Sequence, residues 1–375
     1  MASQEGSATV VSDREQKILN IIEKTRAKRP RFKADQVTMA HGAGGKATQT
    51  MIEGLFVPAF ASSDDVGDAT GLAALADAGT VTINGTGLAM TTDSFVVKPI
   101  RFPGGSIGEL AVNGTVNDLA MAGAKPLAIT LAMILEEGLR AEDLRAEVEA
   151  IAAAAVAAGV EIVAGDTKVV ERGHCDSMYI TTTGIGQLDP RAALSPAALR
   201  PGDKVLVSGP IGEHGTAIML SRDEFSLDAE IESDTQSLWP AADALLDAAG
   251  EGLRCMRDAT RGGVATVLNE LARTSRVAIV AREGDVPVRP DVAGAAEILG
   301  IDPMYIANEG RLVAFVAPES ADAALAALRE APGCDGAAEI GEVKTDPPGM
   351  VLLETAFGGK RVMDLLAGDP LPRIC

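Results

Sequence analysis

Aromatic side chains are nearly missing from this chain: Phe, Tyr and Trp together make up 3% of 375 residues, with a single tryptophan. Apolar residues nevertheless reach 47%. The interior must therefore be built from Ala, Val, Leu and Ile, which suits layered helices and sheets better than an aromatic-rich β-sandwich. Excess positive charge is also lacking. A formal net charge of −20 argues against a nucleic-acid backbone or an anionic membrane as partner. An anionic nucleotide would need a metal ion and local backbone N–H groups to bind. No apolar run approaches the roughly 18 residues of a membrane span; the longest, 150–158, is mostly alanine and soon meets Glu161. No signal peptide is recognisable. Cys175, Cys255, Cys334 and Cys375 form no CxxC pair, so no disulfide framework is indicated and a cytoplasmic protein with reduced thiols is expected.

At this length two domains are expected. Residues 1–40 read as an extension, in which Ser12-Asp13-Arg14-Glu15 has capping-box spacing and predicts a helix over about 13–28, stopped by Pro30. The first domain is placed at 41–190. Within it strands are predicted over 80–84 and 87–92, split by the turn signal Asn84-Gly85, then over 127–135, 161–164 and 178–184. Helices are predicted over 108–122 and 141–158, the latter with Leu144, Val148, Ile151 and Val156 on its apolar side. The loop signals Asp189-Pro190 and Ser195-Pro196 mark a boundary, and the second domain spans 200–367, opening with a strand over 204–208. Neither half keeps a strict βαβ rhythm, so two α+β domains are favoured over a doubly wound sheet. Residues 368–375 form a tail ending in Leu371-Pro372-Arg373-Ile374-Cys375. Pro370 and Pro372 stiffen it, and at roughly 3.3 Å per residue its tip reaches about 20–25 Å. It is either a frayed end that happens to stop at cysteine or an arm that carries a group into a pocket.

Three features bear on chemistry. His41-Gly42-Ala43-Gly44-Gly45-Lys46 is a glycine cluster that could cradle phosphate, yet it lacks the Walker A spacing, and a mobile loop is an equal reading. Asp68, Asp93, Asp118 and Asp166 stand beside Gly, Asn or Thr, and Asp258 precedes Ala259-Thr260, each at an element end. They are either caps or ligands for a hard cation such as Mg²⁺. Lys168 after Asp166-Thr167, and Glu309 in Asn308-Glu309-Gly310, could share proton transfer if they converge; otherwise they are a surface lysine and a turn glutamate. His174-Cys175 is too small a ligand set for zinc.

Several stretches together resemble the HypE family of hydrogenase maturation proteins, carbamoyl dehydratases among the aminoimidazole ribonucleotide synthetase-like ATP enzymes. They are His41–Gly45, Thr91-Thr92-Asp93-Ser94-Phe95-Val96-Val97, Phe102-Pro103-Gly104-Gly105, Asn117-Asp118-Leu119-Ala120 and Ile134-Leu135-Glu136-Glu137-Gly138. Gly165-Asp166-Thr167-Lys168-Val169-Val170, Arg257-Asp258-Ala259-Thr260-Arg261-Gly262-Gly263, Ala307-Asn308-Glu309-Gly310 and the Pro-Arg-Ile-Cys terminus complete the set. The resemblance covers about 41 to 375. It implies ATP-dependent dehydration of a carbamoyl group on Cys375, thiocarboxamide to thiocyanate, which supplies cyanide to the iron of nickel–iron hydrogenase. It implies the carbamoyltransferase HypF and the HypC–HypD iron scaffold as partners, and a homodimer formed through the first domain's sheets. By matched position it places metal at Asp68, Asp93, Asp118 and Asp258. Nucleotide contacts would fall at Gly42, Gly44, Gly45, Asp93, Asn117, Asp118, Asp166 and Thr167, and N–H proton handling at Lys168 and Glu309. Relatives of the same fold phosphorylate free small molecules, and a carrier that only holds a group on Cys375 would need no ATP.

Overall fold

The computed structural model describes residues 31–60, 76–222, 230–366 and 373–375. The helix predicted over 13–28, Asp68, and the prolines at 370 and 372 lie outside them. Strands β1 (Gly79–Ile83) and β2 (Thr86–Phe95) form a hairpin in which Ile83 pairs with Thr86. Asn84 and Gly85 between them have φ of 51° and 82°, the left-handed pair that a two-residue hairpin turn requires. After a short ribbon, β3 (Arg101–Phe102) and β4 (Gly105–Ser106), the sheet continues with β5 (Ala124–Glu136), β6 (Glu161–Val170) and β7 (Met178–Leu188). Its order is β1-β2-β7-β5-β6, antiparallel except for β5 beside β6.

Ahead of this sheet, α1 (Lys46–Met51) belongs to the segment 39–60. It packs on the second unit, with Lys46 paired to Asp364 at 2.7 Å and Arg273 donating to Gln49 at 3.0 Å. Helices α2 (Ile107–Met121) and α3 (Ala141–Ala158) cover one face of the sheet. The apolar side predicted for α3 needs correction. Val148 and Val156 point to solvent, while Glu147 lies buried beside Ile151 and Ala155. Its carboxylate is tolerated there because the Gly108 N–H donates to it at 3.0 Å and Arg101 pairs with it at 2.8 Å, which satisfies a charge that would otherwise be costly to bury.

The second unit is a seven-stranded sheet of order β14-β13-β10-β12-β8-β11-β9. Its strands are β8 (Lys204–Val207), β9 (Leu253–Asp258), β10 (Ala278–Arg282), β11 (Leu312–Val316), β12 (Ala338–Lys344), β13 (Met350–Glu354) and β14 (Lys360–Met363). Around it lie α4 (Glu213–Leu220), α5 (Trp239–Ala249), α6 (Gly263–Ser275), α7 (Pro290–Leu299) and α8 (Ala321–Glu330). Period-two alternation sorts β8 between two cores: Val205 and Val207 pack with Val264, Leu268 and Leu271 of α6, and Leu206 packs with α5 and α8. Ala120 and Met121, the last residues but one and last of α2, belong to that second core. The helix is thus anchored in both units, and Asp118 rides on its final turn.

Candidate functional site

Four carboxylates converge where the two units meet. Asp93 is on β2, Asp118 in the last turn of α2, Asp258 at the end of β9, and Asp77 directly before β1. Ligand atoms of Asp77, Asp118 and Asp258 all lie within 4.8 Å of one another. Sequence reasoning missed Asp77. Flanked by Ala76 and Ala78, it lacks the adjacent Gly, Asn or Thr that singled out Asp93 and Asp118. Thr91 Oγ1 donates to Asp118 at 2.6 Å, and Arg257 bridges Asp77 at 3.1 Å and Glu270 at 2.9 Å.

Burial, and then mutual crowding, shifts these proton affinities upward. Asp77 rises to about 6, mainly because burial disfavours its charge, with Arg257 opposing and Glu270 and Asp93 adding. Burial likewise lifts Asp118 well above the carboxylate range, helped by Asp258, Asp93 and Asp77. Asp258 is lifted by burial and Asp77 against the pull of Arg257. Burial raises Asp93 as well, against Arg261 and the Ser94 N–H, which favour its charged form. Buried like charges without a cation behave in this way.

Glu309 completes the cluster. It is 3% exposed, and its Oε1 has no hydrogen-bond partner among the described residues. Its main chain is clamped: Asp234 accepts from its N–H at 3.0 Å, and Asn117 Nδ2 donates to its carbonyl at 3.1 Å. A side chain on the following Gly310 would come within 1.8 Å of the Asp234 carbonyl, so only glycine allows this approach. Burial, then Asp258, Asp93 and Asp234, push the Glu309 carboxyl well up, against Arg261.

Asp93, Asp118, Asp258, Glu309, Arg261 and Cys375 line one cleft of about 1710 Å³. A main-chain carboxylate oxygen of Cys375 accepts from Val96 N–H at 3.0 Å, which seats the residue beside the end of β2. Negative charge at Cys375 is the largest influence raising the Arg261 pKa. The other three cysteines are buried, whereas Cys375 is half-buried. The glycine cluster closes one side, with His41, Gly42 and Gly44 in the cleft wall. At Gly44, φ is +75° and an added Cβ would meet the Arg261 carbonyl at 2.9 Å. Three N–H groups of this segment are already donated, His41 to the Thr38 carbonyl at 3.0 Å, Gly44 to Thr48 Oγ1 at 3.1 Å and Lys46 to the Leu366 carbonyl at 3.1 Å.

Other predicted site residues stand apart. Asn117 is buried; besides Glu309 it donates to the Gln236 carbonyl at 3.0 Å and accepts from Leu238 N–H at 2.7 Å. It braces the site from behind. Asp166, Thr167 and Lys168 lie on the exposed edge strand β6, where Lys168 pairs with Asp166 at 2.9 Å and is 70% exposed. Three strand spacings separate β6 from β2, or about 14 Å. A single chain therefore does not bring Lys168 to Glu309.

Comparison with known proteins agrees with this architecture. The family model "AIR synthase related protein, N-terminal domain" matches residues 75–188, and its C-terminal counterpart matches 200–352. The carbamoyl dehydratase HypE of Bradyrhizobium diazoefficiens is 48% identical over 339 residues, covering 90% of this chain and 96% of its own. Among solved structures, a HypE–HypF complex superposes with a TM-score of 0.78 at 44% identity, covering 84% of this chain and 99% of its own. HypE in complex with ATP gives a TM-score of 0.75 at 44% identity, covering 91% and 100%.

Proposed function

Since the chain belongs to the HypE carbamoyl dehydratases of the AIR synthase related family, we propose that it dehydrates a carbamoyl group carried on the Cys375 thiol, using ATP and leaving a protein thiocyanate. One observation carries the reading: the Cys375 residue is seated in the same cleft as Arg261, Glu309 and the carboxylate cluster. The relative solved with ATP supports the nucleotide, and the one solved with HypF supports HypF as the source of the carbamoyl group. The thiocyanate would then pass cyanide to iron on a HypC–HypD scaffold.

The amide oxygen of a thiocarboxamide is a poor leaving group. Taking the γ-phosphoryl group of ATP, it can depart as inorganic phosphate; the C–O bond breaks and both N–H protons leave as C≡N forms. Asp77, Asp118 and Asp258 offer hard oxygen donors close enough to share one dication, with Asp93 beside them, and this donor set fits Mg²⁺. Mg²⁺ would supply Lewis-acid neutralisation of phosphate charge. Asp77 replaces Asp68 in this assignment, Asp68 being outside the described residues. Glu309 is the proton acceptor, since burial that raises its pKa makes its ionised form a stronger base. Arg261 offsets negative charge beside Cys375. Gly42 and Gly44 in the cleft wall, with Gly45, are assigned to the nucleotide phosphates.

Lys168, with Asp166 and Thr167, enters from a second copy. Val81, Ile83, Met90, Ile162, Val163 and Val169 are exposed on the first sheet. These apolar residues, spread over β1 and β2 at one end of the sheet and β6 at the other, favour covering of the sheet by another copy, and a homodimer would carry β6 of one subunit towards the cleft of the other. Intact mass analysis after incubation with carbamoyl phosphate, ATP and the carbamoyltransferase tests the function. Gain of one carbamoyl group followed by loss of one water is expected; a carbamoylated chain that never loses water in the presence of ATP would make it a carrier only.

A further inference from the structure

The last three residues are held by more than the chemistry at Cys375 demands. All three accept hydrogen bonds at main-chain oxygens: Arg373 from Lys98 N–H at 3.2 Å and Arg222 Nη2 at 2.9 Å, Ile374 from His214 Nε2 at 2.6 Å, and Cys375 from Val96 N–H at 3.0 Å. The pairs 96 with 375 and 98 with 373 extend β2 by an added antiparallel stretch, as in strand-addition recognition of peptides. Arg373 has φ of 57°, an uncommon state for a residue with a side chain, which persists only where its surroundings over-determine it. Here the doubly bonded carbonyl and a 2.6 Å ion pair to Asp176 fix it. The kink turns Arg373 outward and Ile374 inward, where Ile374 is 5% exposed in the cluster holding Phe102, Ile218, Met219 and Ile306.

We propose that His214 is the positioning residue for the tripeptide Arg373-Ile374-Cys375 seated on this surface, setting where the thiol comes to rest. A carbonyl can only accept, so His214 Nε2 must carry hydrogen, and Nδ1 then accepts from Ser233 Oγ at 2.8 Å. Ser233 is itself held, accepting from Thr235 N–H at 3.2 Å and donating its N–H to the Pro103 carbonyl at 2.8 Å. The imidazole is thus fixed in one tautomer. Burial lowers its pKa to about 4, which keeps it neutral at physiological pH. Among the described residues its hydrogen bonds go to Ser233 and Ile374 and to no carboxylate of the cluster. Its part is to hold the carbonyl one residue before the reacting cysteine, and an error of about 1 Å in such placement can reduce rate about 10²-fold.

The proposal rests on Cys375 as the group carrier, but its test does not. In the full chain, the rate at which iodoacetamide alkylates Cys375 is read by mass spectrometry of the C-terminal peptide and compared with free Leu-Pro-Arg-Ile-Cys peptide. The intact protein should react more slowly than the peptide. His214→Leu should raise the rate about ten-fold, the loss expected from one hydrogen bond of ~1.4 kcal/mol. His214→Gln, which keeps an N–H donor, should restore protection. Ile374→Ala and the rim variant Asp176→Asn should also accelerate alkylation, and both test the seating of the tripeptide without touching the buried imidazole if His214→Leu fails to fold. Dehydration of the carbamoylated chain at saturating ATP should fall in His214→Leu and recover in His214→Gln with the ATP KM unchanged. Alkylation of the intact protein as fast as the peptide, or equal rates in wild type, Ile374→Ala and Asp176→Asn, would overturn the proposal. His214→Gln behaving like His214→Leu would reduce His214 to a packing residue. Absence of dehydration in the wild type with protection intact would instead count against the proposed function alone.

Discussion

Replacing Asp77 by asparagine should stabilise the metal-free protein at neutral pH. Its side chain is 14% exposed, and its pKa rises from 3.8 to about 6. The folded chain therefore keeps a proton on Asp77 that the unfolded chain releases near pH 3.8. Stability from this group is complete below that pH and lost as pH rises to about 6. A shift of ~2 units at 1.36 kcal/mol each is ~3 kcal/mol. Against this, Asp77→Asn removes a partner of Arg257, which keeps Glu270 at 2.9 Å, at about 1 kcal/mol. The net gain of ~2 kcal/mol, divided by an unfolding entropy of ~2.1 cal/mol/K per residue, raises Tm by roughly 2–3 °C at pH 7. Comparing variant with wild type cancels opposing groups such as His214, whose lowered pKa removes stability as pH falls from 6.5 towards 4. Thermal unfolding of both proteins from pH 4 to 7.5, with and without Mg²⁺, is the assay. The gap should open above about pH 4 and grow towards pH 6, and Mg²⁺ should reverse it by stabilising only the wild type. A variant less stable than wild type at every pH would show that Asp77 serves as the Arg257 counter-ion and that the cost of burying its charge does not govern stability.

Asp93→Asn and Asp118→Asn should each weaken Mg–ATP binding by titration calorimetry while the apo Tm holds or rises; a large fall in Tm with unchanged affinity would make them structural. Cys375→Ala should leave folding and nucleotide binding intact and accept no carbamoyl label, because its three companion cysteines are buried; a normal label stoichiometry would move the acceptor to one of them. Glu309→Gln and Lys168→Ala should accumulate the thiocarboxamide with dehydration slowed about 10²–10⁴-fold, whereas a near wild-type rate would remove that residue from the mechanism. Mixing Lys168→Ala with Cys375→Ala chains should restore dehydration if Lys168 acts across a dimer, and no recovery despite subunit exchange would place it in its own chain's site.

Local chemistry was legible wherever a few neighbouring residues decide the outcome. Asn84-Gly85 specifies its turn, and the predicted limits 141–158 of α3 hold to the residue. The side that α3 buries was not legible, because Glu147 is admitted to the core only by Arg101 and the Gly108 N–H, about 40 residues away in sequence. Asp93, Asp118, Asp258 and Glu309 could be picked out singly as element-end residues. Their convergence could not, since it depends on where α2 crosses from one sheet to the other. Asp77, between Ala76 and Ala78, carries no local mark of a ligand and is recognisable only once Asp118 and Asp258 are brought beside it. The His214 contact was equally hidden. In sequence it is one histidine in a helix, and its partner Ile374 lies 160 residues on.

The placement of α2 has a mechanical corollary. Its flank contributes Leu110, Val112 and Val116 to the first core, while its end contributes Ala120 and Met121 to the second. Traffic in the other direction is just as close, since Ile218, Met219 and Ile306 of the second unit complete the first core. Cutting the chain in the 188–200 connection would therefore strip apolar contacts from both fragments at once. Each half should be insoluble or molten when produced alone, and regain order only when the two are co-expressed. Opening and closing of the cleft by rotation of one unit against the other would have to tear this shared packing. Access to the site is more readily governed by a small part that is not built into it, such as the glycine-rich segment.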